Sequence, residues 1–260
     1  MMNKMELYNQ DVLEALASVE DNSVDCIITS PPYWKGFEYE AYFNSYYQYI
    51  EWSKKWLKEC KRVLGDGGTF YLNVANDSET TIRAFELMDI CTRELMFKLH
   101  DTIIWYRYNN QPANSDRQLT NQTEYIFMLR HTSANINLHK TEAYHYNKDI
   151  FKTRNVGNVW EIPFNKGDKI HFAKKETKAK WGHSGFPLAL TDTCILLSTN
   201  PNDVVLDCFM GSGTTGVSCR NLNRDFIGIE LDKSIFEIAK KRILESNQSR
   251  LVVENQSKLI

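Results

Sequence analysis

The stretch from Asp203 to Ser246 does most to limit what this chain can become. DVVLDC (203–208) is a short apolar run, Gly211-Ser212-Gly213-Thr214-Thr215-Gly216 follows it closely, and Thr214 to Leu222 has helical spacing. DFIGIE (225–230) is a second apolar run, and Ser234 to Ser246 is helical again. Strand, glycine turn, helix, strand, helix is the pattern of right-handed parallel winding, so the expected class is α/β with a mostly parallel sheet. Two strands do not make a stable sheet, and too little chain follows Glu230 to supply the others. The rest must come from the N-terminal half, which puts the glycine turn in a sheet assembled from both ends of the chain.

That half reads accordingly. VDCIIT (24–29) is almost continuously apolar, as in strands covered on both faces, and stops at Ser30-Pro31-Pro32-Tyr33. Tyr46, Ile50, Leu57, Cys60 and Leu64 recur at helical spacing until Gly65-Asp66-Gly67-Gly68, which reads as a terminating turn. TFYLNVA (69–75) reads as a strand, 82–95 as a helix, and 101–108 and 124–130 as two further strands around a polar loop. From about His131 to Trp181 Asn, Lys and His dominate and apolar periodicity fades, which suggests an insertion. The expected organisation is one domain in three stretches: 1–130, an inserted 131–181, and 182–260.

Composition narrows the setting. Apolar residues at 42% and charged residues at 25% suit a folded globular chain. No run approaches the ~18 apolar residues of a membrane span, and Met1 to Asp11 lacks the basic flank and apolar core of a signal peptide, so a cytoplasmic chain without membrane contact is expected. Six cysteines without a C-x-x-C pair read as reduced core residues, with neither a disulfide framework nor a metal site. A net charge of -2 gives no global attraction to nucleic acid, so a DNA-binding face would have to be local.

The glycine turn fits G-x-G-x-x-G between strand and helix, and Glu230 on the next strand tip stands where a ribose-binding acid is expected. Val217 occupies the position of a phosphate-loop lysine, which disfavours nucleotide hydrolysis. Asp207 separates the remaining nucleoside cofactors. A carboxylate just before the glycines repels a pyrophosphate but suits a ligand carrying an ammonium and a sulfonium, which points to S-adenosylmethionine and away from a nicotinamide-dependent oxidoreductase. The plainer use of Asp207 is as a turn or capping residue.

Taken together, Ser30-Pro31-Pro32-Tyr33 and D-C-F-M-G-S-G (207–213) resemble the amino-methyltransferases that methylate exocyclic amines of DNA bases. With the catalytic tetrapeptide first and the cofactor glycines last, the order resembles their β group. That resemblance implies a single Rossmann-like domain with a circularly permuted seven-stranded sheet and a small target-recognition insertion. It implies catalytic roles for Ser30, Pro31, Pro32 and Tyr33. It also implies cofactor contacts from Asp11, His183, Phe186, Pro187, Asp207, Phe209, Gly211, Ser212, Gly213, Thr214, Thr215, Glu230 and Leu231. Trp105-Tyr106-Arg107, Asn109, Pro112, Arg117 and Glu124 resemble the region beside the target base, with Arg107 where lysine is more usual, and Asn158-Val159-Trp160 resembles a motif often beginning with aspartate.

The chemistry such a site must perform is constrained. An exocyclic base amine is a poor nucleophile because its lone pair is delocalised into the ring. Ser30 Oγ and the Pro31 carbonyl are expected to accept its two hydrogens and localise that pair for direct in-line transfer. Tyr33 is expected to stack on a base flipped out of the duplex, a task of its ring rather than its hydroxyl. No cysteine sits in a Pro-Cys element, which disfavours ring-carbon methylation through a covalent thiol. Ser-Pro-Pro-Tyr resembles the cytosine-N4 enzymes and Asp-Pro-Pro-Tyr the adenine-N6 enzymes, so cytosine is expected and adenine is the alternative. The implied partners are double-stranded DNA, a restriction endonuclease of the same site, and a second copy in a homodimer. A silent nucleic-acid-binding module would leave the intact tetrapeptide unexplained. Sequence recognition is expected in 131–181, which carries Lys140, Lys148, Lys152, Arg154, Lys166, Lys169, Lys174, Lys175, Lys178 and Lys180.

Overall fold

The computed structural model describes residues 3–34, 43–75, 81–109, 117, 119–131, 157–163 and 185–257. Its strands are β1 (Met5–Tyr8), β2 (Val24–Thr29), β3 (Leu64–Ala75), β4 (Lys98–Tyr106), β5 (Thr123–Arg130), β6 (Val159–Glu161), β7 (Val204–Asp207) and β8 (Asp225–Ile229). Its helices are α1 (Val12–Leu16), α2 (Tyr46–Val63), α3 (Thr81–Asp89), α4 (Leu188–Ser198), α5 (Thr214–Leu222) and α6 (Lys233–Ser257).

The strands form one sheet in the order β1-β8-β7-β2-β3-β5-β4-β6. Every pairing is parallel except those of β5 with β3 and β4. The C-terminal strands β7 and β8 lie between β1 and β2, so both chain ends build the sheet. The expected strand number needs correcting: among the described residues the sheet has eight strands rather than seven, because β6 adds to the outer edge of β4.

Alternation along the central strands explains the layers. Ile27, Phe70 and Leu72 face one core with residues of α1, α2 and α3, while Cys26, Ile28 and Tyr71 face another with residues of α4, α5 and α6. Helices therefore cover both faces, which suits the apolar content of β2. All six cysteines are buried and free.

Several elements depart from expectation. Helix α2 stops at Val63, but Gly65 to Gly68 do not separate it from the next strand. Leu64 already pairs with Val24 and Thr69 with Cys26, so the glycines form an irregularity within β3. After Asp89 the third helix continues as a π-helical turn, Ile90–Glu94, before Met96 takes φ +57°. Helix α6 runs past Ser246 to Ser257. Of 131–181 only residues 131 and 157–163 are described, and the ten basic residues named above lie outside them. No helix among the described residues is long and apolar enough to cross a membrane.

Candidate active site

Because β1, β8, β7, β2 and β3 run parallel, their C-terminal tips line one edge in that order. The chain winds outward in opposite directions from β7 and β2, and such a switch point is where open α/β sheets hold ligands. Asp207 ends β7 and Ser30 follows β2 at this boundary.

Asp207 is buried, and its carboxylate accepts the Thr29 and Thr215 hydroxyls, each at 2.7 Å, and the Phe209 N–H at 3.2 Å. It therefore ties the catalytic strand to the first turn of α5. Three bonds leave about one of its four lone-pair sites for a further donor. Burial pushes its pKa up to about 6, against the lowering effect of these bonds.

Gly211 and Gly213 take φ +49° and +80°, in the left-handed region that favours glycine. The two glycines face different surroundings. A Cβ at Gly211 would meet nothing within 4 Å, whereas one at Gly213 would meet Ala239 and Ile243 at 3.0 Å. The open side of the turn is thus at Gly211, and the closed side packs on α6. Glu230 accepts the Gly211 N–H at 3.0 Å and the Asp232 N–H at 2.9 Å, and burial pushes its pKa up to about 7. Ser212, Thr214 and Thr215 are buried, and Arg242 of α6 donates to the Ser212 carbonyl.

The remaining expected cofactor residues divide. Asn9 donates to the Glu230 and Leu231 carbonyls at 2.9 and 3.0 Å, joining the β1 and β8 tips, and Asp11 caps α1 by accepting the Leu13 N–H at 2.8 Å. Leu231 is exposed beside Glu230. Phe209 turns towards α2, with its ring 5.7 and 5.1 Å from those of Trp52 and Trp56. Pro187 caps α4, Phe186 packs on the adjoining core, and a Cβ on Gly185 would come within 3.1 Å of Ser212 Oγ, so this segment reaches the glycine turn. His183 lies outside the described residues.

On the catalytic side, Ser30 Oγ and the Tyr33 hydroxyl are hydrogen-bonded to each other, and both lie 3.1 Å from Asn73 Oδ1. Asn73 is buried on β3, and its Nδ2 donates to the Tyr125 carbonyl at 3.2 Å, which turns Oδ1 towards the two hydroxyls. Sequence reasoning missed Asn73. The signal was present, since a polar residue in TFYLNVA must find partners if buried. The Tyr33 hydroxyl also belongs to this cluster, a contact that an expectation resting on its ring did not include.

The carbonyls of the segment are also engaged. Tyr49 donates to Pro32 at 2.9 Å, and Arg83 donates to Tyr33 at 2.8 Å and to Trp34. No donor of the described residues reaches the carbonyl of buried Pro31. Farther along the edge, Arg107 and Glu124 form a largely buried ion pair at 2.7 Å, while Pro112 lies outside the described residues.

Comparisons with known proteins match most of the chain. The profile of the N6/N4 methylase family, described as DNA methylase, spans residues 24–241. The chain is 31% identical over 239 residues to the Type II methyltransferase M.HpaI of Haemophilus parainfluenzae, covering 90% of this chain and 72% of that one. Among solved structures, the cytosine-N4-specific PvuII DNA methyltransferase superposes with a TM-score of 0.77 at 21% identity, covering 93% of this chain and 87% of that chain. The M1.HpyAVI complex with SAM gives 0.62 at 26% identity, covering 92% and 99%.

Proposed function

Because this chain belongs to the N6/N4 DNA methylase family, we propose that it methylates the exocyclic N4 of a flipped-out cytosine in duplex DNA, with S-adenosylmethionine as donor. The observation that carries the reading is the arrangement of Ser30, Asn73 and Pro31. Asn73 Oδ1 is an acceptor only, so the Ser30 hydroxyl can donate to it; with the Tyr33 hydroxyl then donating to Ser30 Oγ, one Ser30 lone pair is left for another donor. The Pro31 carbonyl is a second acceptor one residue on. Two acceptors suit the two hydrogens of an exocyclic amine. Holding both draws the nitrogen lone pair out of conjugation without a charged base.

The cofactor side fits its ligand. The open face at Gly211 admits a close approach, Glu230 offers a carboxylate to a ribose diol, and Asp207 retains acceptor capacity for an ammonium. S-adenosylmethionine supplies an electrophilic methyl carried on a sulfonium. Asp11, Phe186, Pro187, Phe209 and Leu231 would line the rest of that site, and His183 would join them.

Cytosine is preferred over adenine on the serine of the tetrapeptide, a neutral acceptor where the adenine enzymes have aspartate. The same reading pairs the protein with a restriction endonuclease of the same site, and makes it a homodimer that sedimentation would reveal. The deciding experiment is nucleoside mass spectrometry of unmethylated DNA incubated with the protein and labelled S-adenosylmethionine. N4-methylcytosine is expected. N6-methyladenine would overturn the base assignment alone, and 5-methylcytosine or an unlabelled digest would overturn the mechanism.

A further inference from the structure

Trp34, the residue after the catalytic tetrapeptide, turns the chain with φ +52°. A bulky aromatic side chain rarely adopts this left-handed conformation, which persists only where the surroundings over-determine it. Here α3 provides them. Arg83 Nη1 donates to the Tyr33 carbonyl at 2.8 Å and also to the Trp34 carbonyl. Its guanidinium lies over the rings of Trp34 and Tyr46, 5.3 Å from each centroid. Those rings are 5.7 Å apart, and the Tyr46 hydroxyl donates to Glu86, which neighbours Arg83 on the same face of α3. A planar guanidinium can bond to carbonyls at its edge while stacking on rings with its face, which an ammonium cannot do. Tyr33 is thereby held at both ends, its hydroxyl by Ser30 and Asn73 and its carbonyl by Arg83.

We infer that Arg83 is a positioning residue for the base-binding segment: it sets the Tyr33–Trp34 turn and, through it, the platform on which the target base is held, without touching the reacting atoms. The inference rests on the methyl-transfer reading above. The competing role for an arginine near a DNA site is a phosphate contact, and the two roles part experimentally. A phosphate contact acts on DNA affinity and its salt dependence. A positioning residue acts on the rate once DNA is bound.

The test uses the full chain with Arg83→Ala and Arg83→Lys, measuring single-turnover incorporation of labelled methyl into unmethylated bacterial genomic DNA at saturating DNA. Calorimetry with S-adenosylmethionine and DNA binding across a salt series accompany it. For Arg83→Ala the saturating rate should fall about 10- to 100-fold, the scale of a misplacement near 1 Å, with cofactor affinity within about twofold and the salt slope unchanged. Arg83→Lys should recover only part of the rate. A wild-type rate in Arg83→Ala, or a loss confined to DNA affinity with a shallower salt slope, would overturn the assignment. If Arg83→Ala does not fold, Arg83→Lys decides: a several-fold slower saturating rate at unchanged melting temperature supports the inference, and a wild-type rate sinks it. No incorporation by the wild-type protein would instead defeat the methyl-transfer reading, and this inference with it.

Discussion

Asn73 changes what substitutions at the catalytic tetrapeptide should do. If Asn73 Oδ1 accepts the Ser30 O–H, Ser30→Ala removes one of two acceptors for the base amine, and turnover should fall by about 10² to 10³, by analogy with a lost oxyanion-hole donor. Cofactor affinity, measured by calorimetry, should stay unchanged. Near-normal turnover would remove Ser30 from the mechanism. Tyr33→Phe keeps the ring but deletes a hydroxyl bonded to Ser30 and Asn73, so about a three- to tenfold loss is expected where stacking alone predicted none. Glu230 sets a pH dependence. With its pKa raised to about 7, most of the carboxyl is protonated at pH 6 and most is ionised at pH 8. Since a ribose diol donates to the ionised form, cofactor affinity should rise with pH across that interval by up to about tenfold. Glu230→Gln should reduce the rise to the roughly twofold that Asp207, with its pKa raised to about 6, still contributes, and a pH-independent wild-type affinity would exclude the contact. Residue types along the two motifs were legible from sequence, but partners were not. Asp207 had two open uses on paper, and only the fold brings Thr29 and Thr215 to its oxygens.

Helix α5 shows how element packing serves the site. A Cβ at Gly216 would come within 2.5 Å of Ile243 on α6 and 2.7 Å of Phe226 on β8, so glycine lets the helix lie close against both. Gly216→Ala should push α5 outward and destabilise the protein by about 1 to 3 kcal/mol, the cost of overpacking a core. Urea unfolding measures this, and adding Ile243→Val should return part of the loss. Full stability in the single variant would show that the contact yields easily. The bounds of α5 were legible from the helical spacing that follows the glycine turn, and the structure ends the helix at Gly213 and Asn223, both with positive φ. Strand β1 was missed because its four residues, MELY, are a strand only when paired with β8. The β6 strand was hidden for the same reason, being three residues in a polar stretch that take their register from β4. The glycines at 65–68 misled because the same residues serve a turn or an irregular strand, and the pairing of Leu64 with Val24 decides between them.

At the scale of the whole molecule, the sheet order joins the two motifs and also says where the inserted stretch departs. β6 runs parallel to β4, with Glu161 level with Tyr106, so the described chain leaves β6 on the same edge as the catalytic strand tips. It resumes at Gly185, beside Ser212 and Thr214 of the glycine turn. Residues 164–184 thus connect the outer end of that edge to its cofactor end, and they include Lys166, Lys169, Lys174, Lys175, Lys178 and Lys180. With a net charge of -2 overall, DNA affinity needs a concentrated basic face, and the lysines of this stretch are its expected source. Replacing Lys174, Lys175 and Lys178 together with alanine should weaken DNA binding and reduce the salt slope by about one unit per lost phosphate contact. Cofactor affinity should be unaffected, because none of the three belongs to either motif. An unchanged slope and affinity in the triple variant would move the DNA face to the loop from Asn109 to Gln122, which leaves the same edge between β4 and β5.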